Sequence, residues 1–228
     1  MRISFLILSL IMLSLGCVEE VNDMSKEKPA DTVIELPEPS LNGSVSVEEA
    51  IKSRRSRREY ADAPLRVEEI SQILWSAQGI TGSTPRYRAA PSAGATNPLE
   101  LYLIAGDVEG LNQGIYHYNP VKNTLKLKKR GDARESLAEA ALNQEYIADA
   151  PAVLVFTAAY ERTTSKYGDR GIRYVHMEVG HAAQNIYLQC ESMNLGTVTV
   201  GAFNDTRVKE LLNQTEEEPV YIMPVGKI

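Results

Sequence analysis

The sequence predicts an α+β domain, and three observations carry the prediction. Short apolar runs of strand length alternate with helical patterns along the chain. The run Ala152–Ala158, AVLVFTA, is apolar throughout, as in a strand buried on both faces. Ile172, Val175, Val179, Ala182, Ile186, Cys190 and Met193 recur at spacings of three and four, which predicts one long amphipathic core helix over about 170–195. With 228 residues, 43% hydrophobic and 24% charged, the chain suits one ordinary domain with a real core. Its formal net charge of -6 argues against a general nucleic-acid binder.

The start of the chain reads as a leader. Met1-Arg2 is positive, Ile3 to Leu15 is apolar apart from serines, and Gly16-Cys17 precedes acidic residues. That anatomy predicts a signal peptide over 1–17, and its apolar run is short for a transmembrane helix. Cys17 resembles the lipidated cysteine of a bacterial lipobox, although Leu13 lies one residue too early and Ser14 takes the usual leucine place. The expectation is an exported lipoprotein that touches the membrane only through its N-terminus; without that leader reading the protein is cytoplasmic. Residues 18–43 are polar, acidic and carry Pro29, Pro37 and Pro39, so they read as a flexible tether. The folded domain is then expected over 44–228.

The elements follow in order. Ser46-Val47-Glu48-Glu49 is a capping box that starts a helix running from Val47 into an arginine cluster. Val67 to Gln78 is a second helix, punctuated by Gly79 and Gly82. Residues 83–98, with Pro85, Pro91 and Pro98, are loop. Leu99 to Ala105 is a strand, and Ile115–Tyr118 and Thr124–Lys128 are two strands about a turn at Asn119–Asn123. Ala133 to about Leu142 is a helix, followed by the strand Ala152–Ala158. The long helix ends near Gly196. Thr197–Val200 is a strand, Asp205 caps a helix ending near Leu212, and Tyr221–Val225 is the last strand. No internal repeat is present.

The usual chemical signatures are missing. There is no GxxxxGK[ST] loop and no strand-GxGxxG-helix unit, and His117, His176 and His181 form no HExxH pair. His176 and His181 read as hydrogen-bonded structural groups, and Cys190 as a buried small hydrophobe. Gly180, Ala182 and Ala183 read as a close helix contact, with Gln184 and Asn185 in the core. What stands out is Ser53–Tyr60, SRRSRREY, with four arginines in five positions of an acidic chain. Guanidinium forks match phosphate oxygens, so Arg54, Arg55 and Arg58 with the Ser56 hydroxyl suit an anion; the competing reading is a solvated helix end paired with Glu59 and Asp62. Arg88–Pro98 is rich in small residues that let backbone approach a flat ligand. Thr199–Phe203 turns at Gly201 and exposes backbone N–H groups, and Pro224–Lys227 ends on a cation.

These segments together resemble the nitroreductase-like flavoproteins, and within them the SagB/thiazole-oxidase-type dehydrogenases. The matching stretches are LPEP (36–39), RRSRREY (54–60), APSAGATNP (90–98), GIYHYNP (114–120), KYGDRGIRYVHMEVGHAAQNIYL (166–188), VGAFND (200–205) and MPVGK (223–227). The resemblance implies a central, mostly antiparallel sheet flanked by helices, and a homodimer with FMN at its interface. It places the phosphate at Arg54, Arg55, Ser56 and Arg58. A flavin-flanking loop at Pro91, Ser92, Ala93 and Gly94 is expected from the partner subunit, with the backbone of Val200, Gly201 and Ala202 on the other side. Lys227 becomes a candidate for the pyrimidine or ribityl-phosphate end. Lys166 and Tyr167 fall where azoline-oxidising relatives hold a proton-handling pair, while hydride passes to N5. The implied activity is an FMN-dependent oxidoreductase acting on a small organic or peptidic azoline-type substrate. Its alternatives are an NAD(P)H-dependent nitro or quinone reductase, and a non-catalytic flavin- or ligand-binding lipoprotein.

Overall fold

The computed structural model describes residues 32–228. The leader at 1–17, Cys17 and the first part of the expected tether lie outside these described residues. Elements are numbered here in chain order. Seven strands, β1 (Val33–Glu35), β3 (Leu99–Ala105), β5 (Gly114–Asn119), β6 (Thr124–Arg130), β7 (Ala152–Ala158), β8 (Leu195–Thr197) and β9 (Glu218–Lys227), form one sheet in the spatial order β1-β6-β5-β3-β7-β9-β8. Every pairing within it is antiparallel. A short parallel pair joins β2 (Leu65–Arg66) to β4 (Val108–Glu109).

The central strand explains the two layers. β7 lies between β3 and β9, with no face toward water, so AVLVFTA is apolar at every position. Successive side chains of a strand point to opposite faces. Ala152, Leu154, Phe156 and Ala158 therefore enter one core, and Val153 and Val155 the other. β3 alternates likewise, with Leu101 and Leu103 opposed to Tyr102 and Ile104. The first core is covered by α2 (Val67–Gln78) and α6 (Arg170–Ser192), through Ile70, Ile73 and Leu74 of one and Val175, Val179, Ala182 and Ile186 of the other. The second is covered by α3 (Arg134–Ala140), α4 (Tyr146–Asp149) and α7 (Asp205–Leu212). Helices α1 (Val47–Ser53) and α5 (Glu161–Tyr167) pack on α6. Cys190 is buried in the first core, and burial pushes its thiol up, away from thiolate chemistry. Among the described residues, no helix is long and apolar enough to cross a membrane.

Several expectations are corrected. The stretch 32–43 is not a free tether. β1 pairs with β6, Leu36 is 7% exposed, and the Asn123 side chain donates to the Leu36 and Pro37 carbonyls at 3.3 and 3.1 Å. Ser71 also donates to Pro37, and the Ser40 N–H donates to Gln72 at 2.8 Å. Prolines keep this segment extended, which suits a sheet edge as well as a linker. The helix α1 begins as expected, with the Ser46 hydroxyl accepting from the Glu49 N–H at 3.1 Å, but Arg54 is already extended at ψ 123°. The strand expected over Thr197–Val200 splits: β8 ends at Thr197, and Val200 makes a single bridge to Ile222. The cap of α7 is Asn204 rather than Asp205, its side chain accepting from the Arg207 N–H at 3.0 Å. His181 is exposed, and Ile172, expected inside, is 44% exposed.

The edge segment has a measurable share of the stability. A chain beginning at Asn42 loses β1 and the burial of Leu36, which is worth roughly 1.5–3 kcal/mol. Its thermal midpoint is expected about 4–10 °C below that of a chain beginning at Thr32, a difference that scanning calorimetry reads directly.

Candidate active site

Past α1 the backbone runs extended through the arginines and is stitched to the sheet edge. The Arg57 N–H donates to the Thr197 carbonyl at 2.9 Å, the Arg55 N–H to Glu191 at 3.2 Å, and the Ala61 N–H to the Lys227 carbonyl at 2.9 Å. Along this irregular extended segment Arg54, Arg57 and Tyr60 are half-buried while Arg55, Ser56, Arg58 and Glu59 are exposed, so the four guanidiniums separate. Arg55, Ser56 and Arg58 line one open cleft with Glu59, Tyr60 and Ile228. Arg54 instead lies 5.2 Å over the ring of Tyr187, which corrects the expected convergence of Arg54 with Arg55 and Arg58. Arg57 also lines this cleft, while its buried Nε turns inward, 3.7 Å from the Glu191 carboxylate. The acidic partner of this segment is thus Glu191 of α6, not Glu59 or Asp62.

Tyr187 holds the cleft to the neighbouring strand end. Its ring is 7% exposed, and its hydroxyl lies 3.0 Å from the Ser56 hydroxyl and accepts from the Thr199 N–H at 2.9 Å. The sequence offered only an aromatic at helical spacing, which reads as core, so this role was missed. One step further on, Val200 exchanges both backbone hydrogen bonds with Ile222, at 2.8 and 3.0 Å. Val200 therefore has no N–H to offer a ligand, contrary to expectation. Gly201 and Ala202 are exposed, and their N–H groups donate to nothing among the described residues. The Ala202 carbonyl accepts from Gln144 at 3.0 Å, Tyr146 donates to Gln144, and Arg58 stacks 5.6 Å over the Tyr146 ring. The arginine segment and the Gly201–Ala202 turn are one assembly.

The loop at Pro91–Gly94 belongs to a second assembly. A short 3-10 turn at Ala93–Ala95 puts Gly94 at φ 60°, a left-handed conformation that suits glycine. A side chain there would also meet the Lys166 ammonium and the Tyr167 hydroxyl, each 2.5 Å from an added Cβ. So the structure does bring Lys166 and Tyr167 to this loop. The Lys166 ammonium is 3.5 Å from the Gly94 carbonyl and 5.4 Å from the Tyr167 ring, which in turn packs edge-on against Tyr174 at 5.2 Å. The loop is anchored from α5: Thr163 bonds Thr96 at 2.8 Å, and Arg162 donates to the Asn97 carbonyl at 3.0 Å. Arg162 also meets Glu100 at 2.6 Å, and His117 meets the same carboxylate at 2.8 Å. Beneath the loop is Glu178 of α6, 3% exposed, with its Oε2 buried and without a hydrogen-bond partner. Burial pushes its carboxyl up to about 7, against the opposing pull of the nearby Ser92 hydroxyl, Ala93 N–H and Arg88. Asn185 donates to the Ser76 and Ala89 carbonyls, a structural role as expected. His176 bonds the Tyr160 hydroxyl at 2.7 Å.

Lys227 does not join either assembly. Its ammonium contacts the buried carboxylate of Glu69, which also accepts from the Arg66 N–H at 2.8 Å. Burial alone would raise the Glu69 carboxyl, but the Arg66 N–H, the Lys227 ammonium and the Arg66 guanidinium outweigh it and hold the group below its ordinary range. The sequence could not show this, because Glu69 reads as an ordinary acidic residue in a first helical turn.

These features define an α+β domain with an arginine-lined cleft set beside two exposed backbone N–H groups. The chain belongs to the nitroreductase family: the family model of that description matches residues 51–227. That is a family of flavin oxidoreductases, and the expected fold and enzyme class are borne out. A protein of Methanocaldococcus jannaschii named as a nitroreductase is 48% identical over 183 residues, covering 80% of this chain and 91% of that one. The microcin B17-processing protein McbC of Escherichia coli is 25% identical over 173 residues, 72% of this chain and 63% of McbC, so the chain spans under two thirds of that relative. Among solved structures, a nitroreductase from Ralstonia eutropha superposes with a TM-score of 0.75 at 30% identity, covering 86% of this chain and 89% of the other.

Lys227 and Glu69 make the first test of this geometry. Lys227→Met leaves a buried carboxylate short of one donor and is expected to cost about 1.5–3 kcal/mol in urea unfolding at pH 7. Because Glu69 is held below its ordinary value of 4.5, its contribution is complete above that pH and declines as pH falls further. The difference between the two proteins should therefore shrink below about pH 4.5.

Proposed function

We propose that this chain is an FMN-dependent oxidoreductase that works as a homodimer on a small organic or peptidic azoline-type substrate. The observation that carries this reading is the Arg55–Ser56–Arg58 cleft joined through Tyr187 to the unpaired N–H groups of Gly201 and Ala202. The residues fit the group. Two guanidiniums and a hydroxyl suit a phosphate dianion, and two free N–H donors suit the negative charge that a reduced isoalloxazine gains. Gly201 has room beside it: an added Cβ would meet only the Tyr221 ring at 3.5 Å, an ordinary contact. When bound, FMN supplies hydride exchange at N5.

The remaining residues complete the site from a second copy. On α6, Tyr187 serves the arginine cleft and Glu178 the Pro91–Gly94 loop, nine residues or about 14 Å apart along the axis. One chain alone thus holds two half-sites. Val47 and Ile51 on α1 and Met177 on α6 are all more than half exposed, an apolar surface of the kind that a second copy covers. In that dimer the Pro91–Gly94 loop of one protomer closes over the cleft of its partner. Lys166, braced by Tyr167, then takes the proton that leaves an azoline carbon as the ring becomes an azole. The similarity to McbC, a microcin-processing protein, favours a peptidic substrate. The alternative, NAD(P)H-dependent reduction of nitro or quinone compounds, is favoured by the relative named as a nitroreductase. Export through the N-terminal leader remains part of the proposal.

The purified chain should show flavin absorbance with one FMN per protomer; a protein that stays colourless after incubation with FMN would refute the reading. Gly201→Ala should leave the thermal midpoint within about 2 °C yet weaken FMN binding at least tenfold, since its only new conflict is with a bound ring. Lys166→Met separates the two activities. Azoline oxidation should fall about a hundredfold or more, within the range of a lost acid–base residue, while quinone reduction by NAD(P)H persists; an equal fall in both would point away from proton removal by Lys166.

A further inference from the structure

We propose that Glu100 is a positioning residue: together with His117 it fixes the Arg162 guanidinium, which ties the strained turn at Gly94–Asn97 to α5 and so sets Gly94 against Lys166. This inference rests on the reading of Lys166 as the group that takes the substrate proton, and it names what holds that group in place.

The turn needs fastening from outside. Gly94, Ala95 and Asn97 all have left-handed backbone, at φ 60°, 54° and 45°. Glycine adopts that region freely and asparagine tolerates it, but alanine stays there only where its surroundings impose it. Inside the turn, the Ala95 N–H donates to the Ser92 carbonyl at 3.0 Å and the Asn97 N–H to the Ser92 hydroxyl at 2.9 Å. Two consecutive residues of α5 hold it from outside. The buried Thr163 hydroxyl lies 2.8 Å from that of Thr96, and Arg162 Nη1 donates to the Asn97 carbonyl at 3.0 Å. Arg162 is 45% exposed, and a long side chain loses much rotamer freedom when it is held in one place. Glu100 of β3 supplies the hold. Its Oε1 lies 2.6 Å from the same Nη1, and its Oε2 lies 2.8 Å from His117 Nε2. His117 sits on β5 opposite Tyr102 of β3, their rings 4.9 Å apart, so the carboxylate is braced by two paired strands of the sheet. Burial by itself would raise the Glu100 carboxyl, but the bonds from His117 and Arg162 outweigh it and hold the group below its ordinary range, as the ion that Arg162 requires.

The effect reaches Lys166 along one turn of helix. Arg162 and Lys166 are four residues apart on α5, so they share a face, about 6 Å apart along the axis. Arg162 holds the Asn97 carbonyl at one end of the turn, and the Lys166 ammonium lies 3.5 Å from the Gly94 carbonyl at the other. There is little slack at that end, since a Cβ on Gly94 would meet both the ammonium and the Tyr167 hydroxyl at 2.5 Å. A turn released from Arg162 therefore shifts against Lys166, and a small misplacement of an acid–base group costs far more in rate than in stability.

The test compares Arg162→Met and Glu100→Gln with the wild type in the full-length protein, with and without FMN. Amide hydrogen exchange at Ala95 and Asn97 should rise about tenfold in Arg162→Met, the lower end for losing a bond to a charged group. It should rise by a smaller factor in Glu100→Gln, while exchange along β7 stays as it was. The double variant should exchange no faster than Arg162→Met alone, because Glu100 acts through Arg162. With FMN bound, kcat for oxidation of a thiazoline-containing peptide should fall about tenfold or more in Arg162→Met at unchanged KM, while quinone reduction by NAD(P)H persists. Adding Lys166→Met to Arg162→Met should cost no more than Lys166→Met alone. Unchanged exchange at Ala95 and Asn97 in Arg162→Met, additive effects of Arg162→Met and Glu100→Gln, or equal losses in the two reactions overturn the inference. Arg162 is far enough exposed for its variant to fold should Glu100→Gln fail to. Because the exchange is read also without FMN, a protein whose turn loosens as expected but which binds no flavin overturns the flavin reading alone.

Discussion

Everything else in this molecule leans on α6, a helix that must bury one face against the sheet while its flanks hold three loops. The buried face is supplied by Val175, Val179, Ala182, Ile186 and Cys190. The flanks act at successive heights. Asn185 takes the Ser76 and Ala89 carbonyls, Tyr187 the Ser56 hydroxyl and Thr199 N–H, and Glu191 the Arg55 N–H. Each bond replaces water on a group that would otherwise be stranded at a buried loop, where an unmet donor or acceptor is costly. A rigid rod with polar side chains at fixed rises is a simple way to hold loops in register.

That arrangement also accounts for the way the site is divided. The cleft of Arg55 and Arg58 sits at one end of α6 and the Lys166–Tyr167 pair at the other, because the two loops are fastened to different turns of the same helix. A helix rises too far between those turns for one short loop to bridge them. In the proposed homodimer, a second protomer across the exposed apolar residues of α1 and α6 would resolve this without new secondary structure. The electrostatics follow the same logic: among the described residues the arginine segment meets one carboxylate, Glu191, and Arg55, Arg57 and Arg58 line the cleft.

Much of this was legible before any coordinates. The spans of α2, β3 and β7 match the hydrophobic pattern, since α2 has an uninterrupted period of 3.6 and β3 and β7 are largely apolar runs of strand length with clear punctuation at their ends. The anion-suited cluster, the small-residue loop and the Lys-Tyr pair were also visible as residue types. Errors fell where pattern carries little information. β1 is three residues long and lies among prolines, so it read as linker. α5 is a short polar helix, ERTTSKY, with almost no buried face to announce it. Tyr187 and Glu178 looked like one core aromatic and one helical acid.

By itself, then, the sequence determined the class of fold, the long core helix, the cationic segment and the loop chemistry, because local periodicity and side-chain type are properties of neighbours in the chain. Which arginines face the cleft, that Lys227 serves Glu69, that Val200 has no N–H to give, and that Glu178 lies beneath the Ser92 turn were decided only by tertiary structure. These are contacts between residues far apart in sequence, and their partners are selected by burial and by the satisfaction of polar groups, neither of which any local window contains.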